Sequence, residues 1–403
     1  MRILWAVFAV ALAAATLFVI GMCAMLSPTH VARCLLYRNS DIKDYEKFPS
    51  REVNNEPPVF SFKKEANNSI PPLFGALSYT FKGKQKKVGQ LDEFLESTGS
   101  TAFIVIKDDT ILYEKYFNGY NRDSINTSFS MAKSFDSTLV GIAIDEGLIK
   151  SVDEPITNYI PELKAKGFES ITIKHLLTMA SGIKYRENGL PWGDDALTYY
   201  FPNLRKLALT AQIEAPPGRH FLYDNYHPLL IGMILERATR RPVAKYLEEK
   251  IWKPLGMEFP ASWSIDSKKT AFEKMESGIN ARSIDFAKFG RLFLNRGLWD
   301  GKRIISEKWV IESTSPMPVN YREYYNSQEE LFLRFFKSGK GFYKYFWWGY
   351  AKDGGDYDFL AGGRYGQFIY VCPQKNVIIV RNGAKLGNID NWKELLYDMA
   401  NRL

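Results

Sequence analysis

Three cysteines, Cys23, Cys34 and Cys372, and four histidines are all that 403 residues carry. The cysteines are too few and too far apart for a disulfide framework or a CxxC-type zinc site. His220 and His227 stand seven apart across the start of a helical pattern with no Asp, Glu or Cys array beside them. They are expected to be structural, and the chain to need no metal and no cofactor. Charge of one sign is scarce as well. Lys plus Arg number 53 against 45 Asp plus Glu, a net +8, and the cations are scattered, so charge makes no case for nucleic acid. The nucleophile elbow is also missing: no serine has glycine both two before and two after it, which closes the G-x-S-x-G route to a Ser-His-Asp hydrolase. Whatever chemistry the chain performs must run on other residues.

What is present is apolar bulk, 46% of the chain, with 15% aromatic residues, enough for a large core. From Ile3 to Leu26 there is no Asp, Glu, Lys or Arg. At about 1.5 Å per helical residue that stretch crosses a hydrocarbon core of about 30 Å. Residues 1–26 are therefore expected to be a transmembrane signal-anchor helix linking the protein to the membrane. A cleaved signal peptide is the rival, although its apolar run is usually shorter and ends in a small-x-small site that Met22, Cys23 and Ala24 do not offer. Residues 27–72, rich in Pro, Asn and charge, read as a loosely packed linker. The body is expected over 73–403.

Within the body, TAFIVIKDDTILYEKYF reads as a hairpin turning at Lys107, Asp108 and Asp109. GQFIYVCPQKNVIIVRNG reads as a second, near the other end. Ile389, Trp392, Leu395, Leu396 and Met399 recur at helical spacing, which gives a terminal amphipathic helix. Helical patterns fill the middle, several closed by glycine. The expected class is α+β: an antiparallel sheet flanked by terminal helices beside an all-helical lobe, with a cleft between them.

A serine can be activated by a lysine one helical turn away, because at i and i+3 the two side chains share a face and burial favours the neutral amine that accepts the hydroxyl proton. S-x-x-K occurs at Ser40/Lys43, Ser61/Lys64, Ser130/Lys133 and Ser181/Lys184. Ser40 and Ser61 fall in the linker. Gly182 ends the helix that carries Ser181, leaving Lys184 outside it. Only Ser130 opens a long apolar helix, SMAKSFDSTLVGIAIDEGLI, with core-like Met131, Ala132, Phe135 and Leu139 around Lys133. Alone, Ser130 reads equally as a helix N-cap and Lys133 as a surface lysine. A second proton relay is also needed, and Y-x-N occurs at Tyr37/Asn39 in the linker and at Tyr116/Asn118, Tyr223/Asn225 and Tyr324/Asn326 in the body. Tyr223 lies on a loop directly before the helix HPLLIGMILERA, where it can face a cleft or pack as a loop aromatic.

These motifs, with LIKSVDEPITNYIPEL, ITIKHLLTMASGI, PPGRHFLYDN, WKPLGM and SGINARSIDFAKFGRLFLNRG in order, make the chain from about Leu73 onward resemble the β-lactamase-related serine hydrolases. That family comprises class C β-lactamases, D-alanyl-D-alanine peptidases, and esterases and amidases that include 6-aminohexanoate-dimer hydrolases. The resemblance implies a β-lactamase/transpeptidase-like fold and an extracytoplasmic body acting on a small-molecule or peptide-like ester or amide. It makes Ser130 the acylated nucleophile, Lys133 its base and Tyr223 the proton shuttle, with Asn225 orienting the substrate amide or the lysine. The third family motif departs here. The literal Lys337-Ser338-Gly339 is out of order and reads as a decoy. Gly363-Arg364-Tyr365-Gly366 stands where many members carry G-H-G-G. By that match, a backbone N–H near Arg364 or Tyr365 joins that of Ser130 in an oxyanion hole, while Arg364 reads equally as an exposed strand-end cation. Losing the usual Lys or His weakens the case for β-lactam and D-Ala substrates. Trp347, Trp348 and Tyr350 are expected either to wall an acyl pocket or to pack in the core. Two rivals stand beside the hydrolase: a weakly catalytic penicillin-binding or β-lactamase-like protein, and a non-catalytic peptide- or peptidoglycan-binding sensor.

Overall fold

The strands from both ends of the body meet in one sheet. A computed structural model of the chain describes residues 2–65, 70–318, 321–325, 335–336 and 338–403. Helix α1 (Arg2–Met25) is the apolar N-terminal segment. Its stretch from Leu4 to Met25 is long and apolar enough to cross a membrane, as a signal sequence also is.

The described residues of 27–72 do not form the loose linker expected of their composition. They contain α2 (Pro28–Tyr37), β1 (Ser50–Val53) and β2 (Lys63–Lys64). The reason is pairing and packing supplied from far along the chain. Buried Phe48 stacks on Tyr200 at 6.2 Å, and β1 pairs with a strand near residue 262.

The first hairpin is β3 (Ser100–Lys107) and β4 (Thr110–Tyr116), turning on Asp108 and Asp109 at φ 51° and 57°. Left-handed backbone at both turn positions matches the twist of the strands it joins. A two-residue strand β5 (Asn126–Thr127) leads to α3 (Ala132–Asp145). The helical lobe follows, including α4 (Asp194–Tyr200) and α5 (Tyr226–Thr239). The chain then makes β6 (Ala261–Ser264), β7 (Ile279–Ala281) and α6 (Ser283–Leu294). It returns through β8 (Gly341–Lys344), β9 (Trp347–Ala351), β10 (Tyr357–Gly363), β11 (Gln367–Cys372) and β12 (Val377–Gly383), and closes with α7 (Trp392–Arg402).

The large sheet runs β8-β9-β10-β11-β12-β3-β4-β2, antiparallel throughout except for the parallel β2–β4 pair. A smaller antiparallel sheet runs β1-β6-β7-β5. Between sheet and lobe lies α3, buried from Ala132 to Ala143. Phe135 of α3 stacks on Phe289 of α6 with ring centroids 3.6 Å apart, and Phe289 stacks in turn on Trp347. The first turn of α3 is thereby fixed against both layers. That turn carries the candidate chemistry.

Candidate active site

Ser130 is held by a short, over-determined segment. The Ser128 N–H donates to the Ile279 carbonyl (2.7 Å) and its hydroxyl to the Ser277 carbonyl (3.1 Å), continuing the β5–β7 pairing. Phe129 then takes φ 46°, a left-handed conformation costly for an aromatic residue unless its surroundings impose it. One 3-10 turn, Phe129–Met131, feeds straight into α3. Ser130 is half-buried. Lys133 is 1% exposed beneath it.

The Lys133 Nζ lies 3.0 Å from Ser130 Oγ, 2.9 Å from Asn225 Oδ1 and 3.1 Å from the Glu276 carbonyl oxygen. Tyr223 covers the same amine with its ring, the nitrogen 5.0 Å from the centroid. Asn225 is oriented from behind, its Nδ2 donating to Tyr185 Oη (3.0 Å) and Thr198 Oγ1 (3.3 Å). Ser130, Lys133, Tyr223 and Asn225 therefore meet in one place. Glu276, Tyr185 and Thr198 join them without having been singled out in the sequence. Their contributions are a backbone carbonyl and two hydroxyls recruited across long separations, and no local spacing signals them.

A buried polar layer lies below. Asp136, one turn beyond Lys133, is fully buried, and burial holds its carboxyl well above the usual carboxylate range despite the nearby Lys133. Lys274 and Glu276 form a buried pair at 2.9 Å, with Lys274 also donating to the Tyr199 carbonyl.

On the opposite wall, β10 ends at Gly363. A Cβ there would collide with the Ser128 carbonyl and stand 3.2 Å from the Met131 nitrogen, so only glycine lets the strand approach this closely. The next turn, Arg364–Gly366, has Tyr365 at φ 63°. Buried Arg381 clasps the turn from within, donating to the carbonyls of Tyr365 (3.0 Å) and Gly366 (2.7 Å), and to Thr98, Lys385 and Ser100. The Tyr365 ring meets Phe129 edge-on at 5.4 Å, and its hydroxyl donates to the Ser40 carbonyl (2.7 Å). The Arg364 side chain is exposed and stacks over Tyr365.

The two tryptophans part company because successive strand residues face opposite ways. Trp348 lies against Tyr223 at 5.7 Å, with the Lys393 ammonium 3.9 Å over its ring. Trp347 is completely buried against Phe289 and Phe293 of α6, so it packs the core and does not wall the cleft. Tyr350 packs on Tyr397 of α7.

The decoys resolve physically. Lys64 belongs to edge strand β2 and pairs with Glu114. Ser181 is buried against His227, Oγ to Nε2 2.6 Å, and burial pushes His227 down to about 3. Lys337 and Asn326 lie outside the described residues. Among the described residues no cluster of three His, Cys, Asp or Glu is arranged to hold a metal. A polar cavity of about 420 Å³ opens between Ala76–Thr80 and α7, but its lining shares no residue with the Ser130 site.

The family Beta-lactamase matches residues 90–400, most of the chain. The chain belongs to the β-lactamase family. It is 27% identical over 313 residues to the 6-aminohexanoate-dimer hydrolase of Paenarthrobacter ureafaciens, covering 73% of this chain and 75% of that one. It is 30% identical over 177 residues to esterase EstB of Burkholderia gladioli, covering 38% of this chain but only 44% of the esterase. A solved Bacillus anthracis structure, provisionally described as a 6-aminohexanoate-dimer hydrolase, superposes with a TM-score of 0.74 at 24% identity. It covers 89% of this chain and 91% of that one. The fold is the β-lactamase/transpeptidase type, and the relatives are hydrolases. In this member of the family, a hydroxyl, a buried amine, a phenol and a carboxamide converge beside a tight backbone turn. Such a set can attack a carbonyl, move its proton and hold the resulting oxyanion.

Proposed function

We propose that the chain is a serine hydrolase that cleaves an ester or amide through an acyl-enzyme on Ser130. The observation that carries this reading is the coordination of Lys133. Two of its three partners, Asn225 Oδ1 and the Glu276 carbonyl, can only accept hydrogen bonds. Held by those two acceptors, the Nζ is fixed 3.0 Å from its third partner, the Ser130 hydroxyl whose proton it must take.

Lys133 takes the Ser130 proton as Oγ bonds to the substrate carbonyl carbon. The oxyanion is received by the Ser130 N–H and one from the Arg364–Tyr365 turn. Collapse breaks the bond to the leaving group, which takes its proton by way of Tyr223. Water then adds to the acyl carbon, its proton passing to Lys133, and the acid departs as Oγ is reprotonated. Asn225 holds the amine in line. Hydrolase and esterase relatives support a small ester or amide as substrate. The apolar length of α1 supports a membrane-anchored protein, and the family resemblance supports an extracytoplasmic body.

Incubating the full chain with a fluorophosphonate probe tests this directly. The wild type should gain one phosphonyl group by intact mass, and Ser130→Ala none. Unlabelled wild-type protein, or equal labelling of the two, removes the catalytic reading in favour of a binding role.

A further inference from the structure

Exposed apolar side chains lie on the segments that adjoin the α1 helix, and part of the body reaches along that helix. Phe18 of α1 meets Trp192 edge-on at 6.4 Å. Phe18 is seven residues before the end of α1 at Met25, so the contact lies about 10 Å back along the helix axis. Trp192 and Leu190 are nonetheless 47% and 43% exposed. The neighbouring Pro191 carbonyl receives His30 Nε2 of α2 at 2.6 Å, which joins the loop to that helix. One side of α2 is fastened to the body, with Val31 buried and Arg33 bonded to the Tyr200 and Asp266 carbonyls. The other side presents Leu35 and Leu36, 55% and 77% exposed. Four large exposed apolar side chains therefore belong to the two segments that adjoin α1: α2, which follows it, and residues 190–192, which touch it. Trp and Leu at the root of a spanning helix are what the boundary between headgroups and acyl chains accommodates.

The same elements reach the candidate site. Helix α4 begins two residues after Trp192, and its Thr198 is bonded to Asn225. Thr198 stands four residues into α4, about 6 Å along its axis. The segment after α2 meets the site's other wall, where Ser40 accepts from Tyr365.

We propose that Leu190, Trp192, Leu35 and Leu36 enter the lipid bilayer at the headgroup–acyl boundary, so that the Ser130 cleft opens at the membrane surface onto amphiphilic esters or amides held there. The substrate half of this proposal rests on the hydrolase reading above, and the surface half does not.

Both halves are tested with the full chain in phosphatidylcholine–phosphatidylglycerol vesicles. In a background carrying Cys23→Ala, Cys34→Ala and Cys372→Ala, an environment-sensitive fluorophore is placed at Leu36→Cys, Leu190→Cys or, on the exposed polar hairpin of Ser78–Phe81 and Lys84–Lys87, Lys84→Cys. Labels at 36 and 190 should emit blue-shifted and be quenched by spin-labelled lipid, while the label at 84 reports water. Water-like emission at all three positions overturns the surface. Separately, Leu36→Glu with Leu190→Glu should lower hydrolysis of a vesicle-embedded long-chain ester at least tenfold and leave a soluble short-chain ester unchanged. An equal effect on both esters, or on neither, overturns the substrate half. A wild type that cleaves neither ester and takes no fluorophosphonate refutes the hydrolase reading and the substrate half with it, whereas the fluorophore depths still decide the surface.

Discussion

Asn225 Oδ1 lies 2.9 Å from Lys133 Nζ, a contact between residues 92 apart in the chain. It joins the helical lobe to the first turn of α3 and, on the reading proposed, holds the base in line with Ser130. Asn225→Ala should lower kcat about 100-fold, or about 2.7 kcal/mol, with KM little changed. Asn225→Asp should behave differently. A carboxylate at that distance favours the ammonium over the amine, so the acidic limb of the kcat/KM profile should move to higher pH. Stopped assays on a soluble ester across pH 5 to 10 check both, and coincident profiles for wild type and Asn225→Asp would show that the contact carries no electrostatic coupling.

Arg381 is buried, no carboxylate among the described residues pairs with it, and burial alone pushes it down to about 9. Its donors are spent on backbone carbonyls of the Tyr365–Gly366 turn and of residues 98 and 385, together with the Ser100 hydroxyl. Arg381→Lys supplies a charge but not the planar fork of donors. It should therefore reduce turnover by tenfold or more through a loosened turn while lowering Tm by only a few degrees. Parallel turnover and thermal melts decide it: activity falling only in proportion to the folded fraction would mean that the arginine serves stability alone.

These two residues also mark where reading the sequence succeeds and where it stops. The meeting of Ser130 with Lys133 was legible because one helical turn brings them together, and the placing of Asn225 near Tyr223 because the two share a short motif. Both hairpins and the terminal helix were legible from periodicity. Arg381 was not, since nothing local distinguishes a strand arginine that faces solvent from one that closes on carbonyls across the sheet. Residues 27–72 misled for a related reason. Their Pro, Asn and charge describe local preference, while β1 exists through its pairing with residues 261–264. Trp347 and Trp348 were indistinguishable by type, and only the pleat assigns one to the core and the other to Tyr223.

His227 gives a pH test of stability. Fully buried against Ser181, it is held neutral, pushed from 6.5 down to about 3. The unfolded chain therefore takes up this proton first, and stability is lost as pH falls from about 6.5 toward about 3, with a slope of up to about 1.4 kcal/mol per pH unit from this one group. Buried Asp224, whose carboxyl burial raises, titrates in the opposite sense and offsets part of that slope. His227→Gln should cost stability at neutral pH yet flatten the dependence between pH 6 and 4. Urea midpoints of the two proteins at pH 7, 6, 5 and 4 measure it, and parallel dependences would assign the acid sensitivity to other groups.

Gly363 provides the sharpest steric test. Its Cα faces the Ser128 carbonyl and the Met131 nitrogen so closely that a Cβ would strike the first and press on the second at 3.2 Å. Both belong to backbone, so neither can swing aside as a side chain would. Relief must come from moving β10 away from the segment that carries Ser130, which on the proposed reading widens the oxyanion site. Displacing one such donor costs about 100- to 1,000-fold in kcat in related chemistry. Gly363→Ala should fall in that range. The neighbouring Gly362 meets only side-chain atoms, at 3.4 Å and beyond, from Phe368 and Trp348, so Gly362→Ala should keep turnover within a few-fold of wild type. Single-turnover acylation rates for the two variants, with far-UV circular dichroism to verify folding, separate the cases. A Gly363→Ala protein that folds and acylates at the wild-type rate would show that the approach of β10 to Ser128 has no part in catalysis.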